Sequence, residues 1–158
     1  EKELDLEGKI KVEDVLFHLV GSADRIDKFG DSLRIIDYKS GKVEQKEVTF
    51  EEWDILIENP EKGKAFQLLM YAYLYLKKHP DLVGNKIIAG NYSFKNIVLG
   101  LIPVSEKKDK IRFMNKDTMD KFQYQLERIL SNILSKDFVQ TNDRNICQWC
   151  AYKHICNR

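Results

Sequence analysis

The sequence predicts a mixed α/β domain of the α+β kind, with a mixed central sheet flanked by helices. Three observations predict it. Strand-like and helix-like stretches follow one another in the order β-β-β-α-β-β-α, which suits a mixed sheet with helices packed on it. The 158 residues are 43% apolar and 32% charged, enough for the core of one ordinary domain and too apolar for a disordered chain. No repeat, low-complexity tract or Pro/Gly/Ser linker marks a second unit, so residues 1–158 read as a single domain with a cysteine-bearing tail over 137–158.

Residues 10–20 and 22–39 read as strands, with Gly21 as a bulge or bend between them and Gly30-Asp31-Ser32 as a turn. Residues 50–58 are amphipathic and read as a helix ending near Asn59-Pro60. Ala65 to Lys78 is apolar on nearly every face, the signature of a buried helix, and His79-Pro80-Asp81 closes it. Residues 86–94 and 97–104 read as a second pair of strands. From Asp117 to Leu134, Phe122, Leu126, Ile129, Leu130 and Ile133 recur at helical spacing, with Asp117 or Thr118 as the cap. The tail from Asp137 reads as irregular.

Composition excludes several classes of function. The longest strongly apolar stretch, Phe66 to Leu76, is far short of a membrane span, and nothing at the start resembles a signal peptide. Twenty-six basic residues against 25 acidic ones leave no general polyanion-binding character, so any nucleic-acid contact must be local. The densest basic stretch is Lys107, Lys108, Lys110, Arg112 and Lys116, a solvated loop unless DNA passes nearby, when it would give phosphate contacts only. The chain opens on Glu1 rather than Met, which predicts a piece cut from a longer protein. Its three cysteines, Cys147, Cys150 and Cys156, all fall in the last twelve residues. An odd, clustered set without a secretory signal predicts a metal site in a reducing compartment, the cytoplasm, rather than a disulfide framework. His154 could complete a three-cysteine, one-histidine Zn²⁺ site.

The most informative segment runs from Gly21 to Lys39. With Phe29 to Ser32 as a four-residue loop, Ile26 faces Ile35 as an apolar pair and Asp27 faces Arg34 as an ion pair. The same register sets Asp24 opposite Asp37, with Cβ atoms roughly 5 Å apart. Lys39 shares the face of Asp37 because side chains alternate along a strand. Two facing carboxylates are destabilising unless a cation neutralises them, and Mg²⁺ (or Mn²⁺) takes one or two carboxylates while keeping several waters. Two aspartates, a lysine and such an ion suit phosphodiester hydrolysis. The competing reading is a solvent-facing hairpin with scattered charges.

Asp24, then thirteen residues on Ile36-Asp37-Tyr38-Lys39-Ser40-Gly41, resembles the PD-(D/E)XK nuclease core in its RecB/AddB form. There the motif is Gly-x-x-Asp-Arg-x-Asp followed by Asp-Tyr-Lys-Thr-Gly, and serine here replaces the threonine. The resemblance implies a restriction-endonuclease-like core. It places the metal-binding acids on Asp24 and Asp37, a third metal oxygen on the Tyr38 backbone carbonyl and the catalytic lysine on Lys39. Glu7 is a match for the glutamate such nucleases carry in the preceding strand. Gln67 and Tyr71 are four apart on one helix face. By themselves they read as polar tips of a core helix; by resemblance they are the Gln-x-x-x-Tyr motif that lines the active site. The Cys147, Cys150, Cys156 spacing is similar to the iron–sulfur staple of AddB-type and CRISPR-adaptation nucleases, where four thiolates hold a [4Fe–4S] cluster. A fourth cysteine is absent from this sequence.

The whole pattern implies a Mg²⁺-dependent DNA nuclease, an exonuclease domain of a helicase–nuclease that processes DNA ends in recombinational repair. Its partners would be DNA and a helicase subunit or a helicase domain of the same protein. The alternatives are a free-standing CRISPR-adaptation-type nuclease and a catalytically silent DNA-binding domain with a zinc-held tail. No nucleotide-binding glycine motif occurs in these residues.

Overall fold

The computed structural model describes residues 2–107, 114–135, 137, 140–142, 144–148 and 150–156. Three long strands come first: β1 (Lys2–Val12), β2 (Val15–Phe29) and β3 (Ser32–Lys39). A linking region follows with α1 (Gln45–Val48), β4 (Thr49–Phe50) and α2 (Ile55–Glu58). The central helix α3 (Gly63–Lys78) leads to β5 (Lys86–Ser93), β6 (Leu101–Pro103) and β7 (Ser105–Glu106). The chain ends in α4 (Lys116–Ser135) and α5 (Arg144–Cys147). The main sheet has the order β1-β2-β3-β5-β6, and β4 pairs with β7 separately. All contacts in the main sheet are antiparallel except β3 with β5, whose parallel pairing requires a crossover, and α3 lies in it. This is the expected mixed α+β architecture.

The two first strands differ from expectation. The hairpin between them turns at Glu13-Asp14, so the strands are 2–12 and 15–29 rather than 10–20 and 22–39. No glycine or asparagine marks that turn. Glu13 itself takes a φ of 54°, a conformation an ordinary side chain adopts at some cost, and its carboxylate accepts a hydrogen bond from Ser131 Oγ at 2.9 Å. The second hairpin is also tighter than expected. Phe29 pairs with Ser32, leaving a two-residue loop in which Gly30 alone has positive φ, 61°.

Gly21 is no bend: it sits inside β2 opposite Leu6. Its role is clearance. A β-carbon at Gly21 would lie 3.0 Å from Cε1 of Tyr71, and one at Gly8 would lie 2.8 Å from Cδ2 of Leu74, so α3 rides directly on the β1–β2 hairpin.

The core lies between the sheet and α3. Leu68, Leu69, Ala72 and Leu74 of α3 are buried against Leu6, Ala23, Ile35 and Ile87 of the strands. Each such leucine contributes on the order of 2 kcal/mol by leaving water. Phe122 of α4 packs its ring 5.2 Å from Phe66 and 5.8 Å from Tyr73, which seats the second long helix. That helix is capped by neither Asp117 nor Thr118. Asn115 Oδ1 accepts hydrogen bonds from the Thr118 backbone N–H (2.8 Å) and hydroxyl (2.9 Å). Ile133, expected on the apolar stripe, is exposed.

The helix expected over 50–58 shrinks to α2, and the strand expected over 97–104 begins only at Leu101. Ser93 Oγ accepts from Asn96 N–H at 3.2 Å and starts a 3₁₀ turn over Phe94–Leu99, leaving Ile97, Val98 and Leu99 exposed. The outer face of the sheet carries Arg25, Asp27 and Arg34. Arg34 donates to both Asp27 oxygens at 2.7 and 2.8 Å, and Arg25 adds a third bond at 2.7 Å.

The Arg34 guanidinium, then Arg25, holds the Asp27 carboxyl below the ordinary value of 3.8. Stability from this pairing is present above the unfolded-state value and lost as pH falls through the lower folded-state one. Asp27→Asn is therefore expected to lower stability at neutral pH by about 2 kcal/mol. Denaturant unfolding should show that deficit shrinking as pH drops below about 4; an equal deficit at pH 7 and pH 2 would contradict this account.

Candidate active site

The register of β2 and β3 determines the site. Ile26 pairs with Ile35 and Arg25 with Ile36, the register expected from the sequence, and Asp24 and Asp37 are the residues that follow at the end of this ladder. The regular pairing stops at Arg25–Ile36, and the Tyr38 backbone N–H donates instead to Asp24 Oδ2 at 2.6 Å. A side chain thus takes the place of a ladder carbonyl, and the Asp24 carboxylate is pinned beside the β3 backbone.

Asp37 is buried, with 5% of its surface exposed. Burial is the main cause that pushes its carboxyl above the ordinary value, and the nearby Asp24 charge adds to it; bonds from Lys39 and Asn91 act the other way. Lys39, two residues on, places Nζ 2.8 Å from Asp37 Oδ2 and 2.8 Å from Gln67 Oε1 on α3. Gln67 Nε2 in turn donates to the Tyr71 hydroxyl at 2.6 Å. Tyr71 lies over Gly21, so the same close approach that seats α3 brings Gln67 to the lysine. Residues from two stretches of sequence form one chain of contacts: Asp37, Lys39, Gln67, Tyr71.

The donor set suits a hard divalent cation. Two carboxylates lie near each other, one of them buried, and the Asp24 charge adds to the upward push that burial gives the Asp37 carboxyl. The candidate ligands, Asp24, Asp37 and the Tyr38 carbonyl, would offer oxygen atoms only, a set that would suit Mg²⁺ or Mn²⁺ better than zinc. Beside Gln67 opens a cleft of about 750 Å³ lined by Lys42, Lys46, Lys62 and Lys64 with Glu44, Glu47 and Glu61. Lys42 and Lys46 hold the Glu44 carboxyl down at about 2. Lys62 Nζ is tied to the carbonyls of Lys46 and Thr49 at 2.7 and 2.8 Å. The sequence reading did not single out this cleft, because its lysines are spread over a loop, α1, a 3₁₀ turn and the start of α3 without a periodic pattern.

Two further residues escaped the sequence reading. Asn91, opposite Asp37 in the parallel β3–β5 pairing, is fully buried and donates to Asp37 Oδ2 at 2.8 Å. A single amide within the run Ile87-Ile88-Ala89-Gly90-Asn91 was the available signal. Ser93, also fully buried, donates to the Gly41 carbonyl at 2.8 Å and accepts from Val43 N–H at 3.3 Å, which fixes the loop that follows Lys39.

Other expected residues lie elsewhere. Glu7 is exposed, opposite Val20 in the β1–β2 pairing. Its neighbours Leu6 and Gly8 face α3, so Glu7 points to the opposite side of the sheet from Lys39 and is not brought to the aspartates. Cys147 is buried, Cys150 and Cys156 are half-buried, and none of the three is in a disulfide. Among the described residues no three His, Cys, Asp or Glu side chains gather into a metal-ligand set, so neither the cysteines nor His154 form one. Lys107 pairs with Glu51 at 2.5 Å and Lys116 begins α4, while Lys108, Lys110 and Arg112 lie outside the described residues. No described helix is long and apolar enough to cross a membrane.

Comparison with known proteins adds a family. Residues 1–157 match the family model described as the PD-(D/E)XK nuclease superfamily. No curated protein matches the chain. Among solved structures it is similar to the crystal structure of SSO0001, at 18% sequence identity and a TM-score of 0.48. That similarity covers 99% of this chain and 59% of the other, so the chain spans about three fifths of the length of that relative.

Proposed function

The chain belongs to the PD-(D/E)XK nuclease superfamily, whose members cleave phosphodiester bonds, and on that premise we propose that it is a Mg²⁺- or Mn²⁺-dependent deoxyribonuclease domain working at Asp24, Asp37 and Lys39. One observation carries the assignment of residues: Lys39 Nζ bridges Asp37 and Gln67 at 2.8 Å each, joining motifs that are 28 residues apart in sequence.

When bound to Asp24, Asp37 and the Tyr38 carbonyl, the cation would lower the pKa of water and offset charge on the phosphate. The protein's own residues do the rest. Asp37 is held rigid by burial and by Asn91 and Lys39, so its carboxylate needs little reorganisation when the ion arrives. The Lys39 ammonium, in direct contact with Asp37, donates to the attacking water or to a phosphate oxygen as negative charge develops there. Gln67 accepts from that ammonium, and Tyr71 holds the Gln67 amide in the orientation that presents its carbonyl. The lysine-lined cleft next to Gln67 receives the sugar–phosphate backbone, exchanging its glutamate partners for phosphates without reading sequence.

The wider setting is part of the same reading. The domain serves a helicase–nuclease that trims DNA ends, in the cytoplasm, and acts as an exonuclease. The cysteine tail is a staple that becomes a [4Fe–4S] site only with a fourth thiolate from outside this sequence; the three thiols do not converge, and no chemical step is assigned to them.

The test is digestion of end-labelled linear DNA, single- and double-stranded, with the matching RNA as control. Cleavage of DNA in Mg²⁺ or Mn²⁺, abolished by chelation and restored by added metal, is the expected result. No cleavage of either DNA form with either ion would overturn the assignment.

A further inference from the structure

Asn91 is an expensive residue for its position. It is fully buried on β5, and its Oδ1 is the only buried side-chain nitrogen or oxygen among the described residues that lacks a hydrogen-bond partner. An unsatisfied buried acceptor is destabilising, and a central strand would be more stable with an apolar β-branched residue there. The other end of the amide explains its presence. Nδ2 lies 2.8 Å from Asp37 Oδ2 and 3.3 Å from the Asp37 backbone carbonyl, so one NH₂ group spans the side chain and the main chain of a single residue. The amide orientation follows from that geometry. A flipped Asn91 would set its oxygen against two acceptors at once, so the NH₂ must face Asp37 and the orphaned oxygen must face away.

We propose that Asn91 is a positioning residue that clips the Asp37 carboxylate to its own backbone and so presets it as a cation ligand. The inference rests on the reading of Asp24 and Asp37 as the metal site. Lys39 bonds the same Oδ2 at 2.8 Å, and Asn91 and Lys39 together fix one oxygen of the carboxylate. The parallel β3–β5 register supplies the alignment: Asp37 pairs with Asn91, and Lys39 pairs with Ser93, which braces the following loop. Outer partners of metal-ligating carboxylates tune affinity in this way, typically by 10- to 100-fold.

The experiment compares wild type, Asn91→Val, Asn91→Ala and Asp37→Ala by calorimetric titration with Mn²⁺ in the absence of DNA, with thermal melts of each. Expected are cooperative melts for both Asn91 variants, Mn²⁺ affinity weakened roughly 10- to 100-fold, and cleavage that returns as Mn²⁺ is raised. Removing a purely structural amide would move the melting temperature and leave Mn²⁺ affinity of the folded variants unchanged. Wild-type affinity in folded Asn91 variants, with binding lost in Asp37→Ala, overturns the Asn91 inference alone. Wild-type affinity in Asp37→Ala overturns the metal-site reading and this inference with it. Failure of both Asn91 variants to fold would make the amide a folding determinant and also overturn the proposal.

Discussion

Asp37→Asn is expected to cut DNA cleavage on the order of 10³-fold or more, because it removes a charged ligand from the ion that activates water. The same change should leave the metal-free protein at least as stable as wild type. Asp37 is buried and its carboxyl is raised, so its ionised form is disfavoured by the fold. For an acid shifted upward, the favourable contribution is present below the unfolded-state value and is lost as pH rises through the folded-state one. At neutral pH the ionised Asp37 is therefore a cost, and a neutral amide of the same shape relieves it. Lys39 keeps Gln67 as a partner and reaches solvent, so it is not stranded. Calorimetry should show an unchanged or higher melting temperature without metal. Mn²⁺ should raise the wild-type melting temperature by binding linkage and leave that of the variant where it is. A marked fall in melting temperature, or Mn²⁺ stabilisation of Asp37→Asn equal to wild type, would contradict the site.

Lys39→Ala is expected to slow cleavage by about 10²- to 10³-fold through loss of a preorganised positive charge. Its effect on metal binding has the opposite sign to that of Asp37→Asn. The ammonium sits 2.8 Å from Asp37 Oδ2 and competes with any cation for that carboxylate, so Mn²⁺ affinity should stay the same or tighten. Lys39→Arg should not restore activity, because a planar fork cannot stand in for a compact ammonium held between Asp37 and Gln67. Weaker Mn²⁺ binding in Lys39→Ala would show that the lysine supports the ion instead of the reacting oxygens.

The pair of acids was legible in the sequence because two independent pairings, Ile26 with Ile35 and Asp27 with Arg34, both require the register that opposes Asp24 and Asp37. The loop length assumed was too long by two residues, yet the register survived, since those pairings constrain it more than the turn does. The first hairpin was illegible for a complementary reason. Its turn uses Glu13 at a positive φ where glycine or asparagine is the usual signal, so the strand boundary was displaced by several residues. The apolar run Ile97-Val98-Leu99 imitates a strand, but the Ser93 hydroxyl caps a 3₁₀ turn there and leaves those side chains outside. Four-residue helices such as α1 and α2 span barely one helical turn, too short for an apolar repeat to fix their bounds, so α1 was not read and α2 was read too long. Asn91 was missed because its importance lies in a parallel pairing between distant strands, which no local pattern encodes.

Gly21 contains no functional group, yet it governs a distance in the candidate site. The Tyr71 ring occupies the space a methyl would need, 3.0 Å from where that carbon would stand. Tyr71 steadies Gln67, and Gln67 steadies Lys39, so adding one carbon to the hairpin would lift the helix and loosen its grip on the ammonium. Hydrogen at that spot works as a spacer of zero thickness. The spacing of the proposed site is set in part by an atom that is not there.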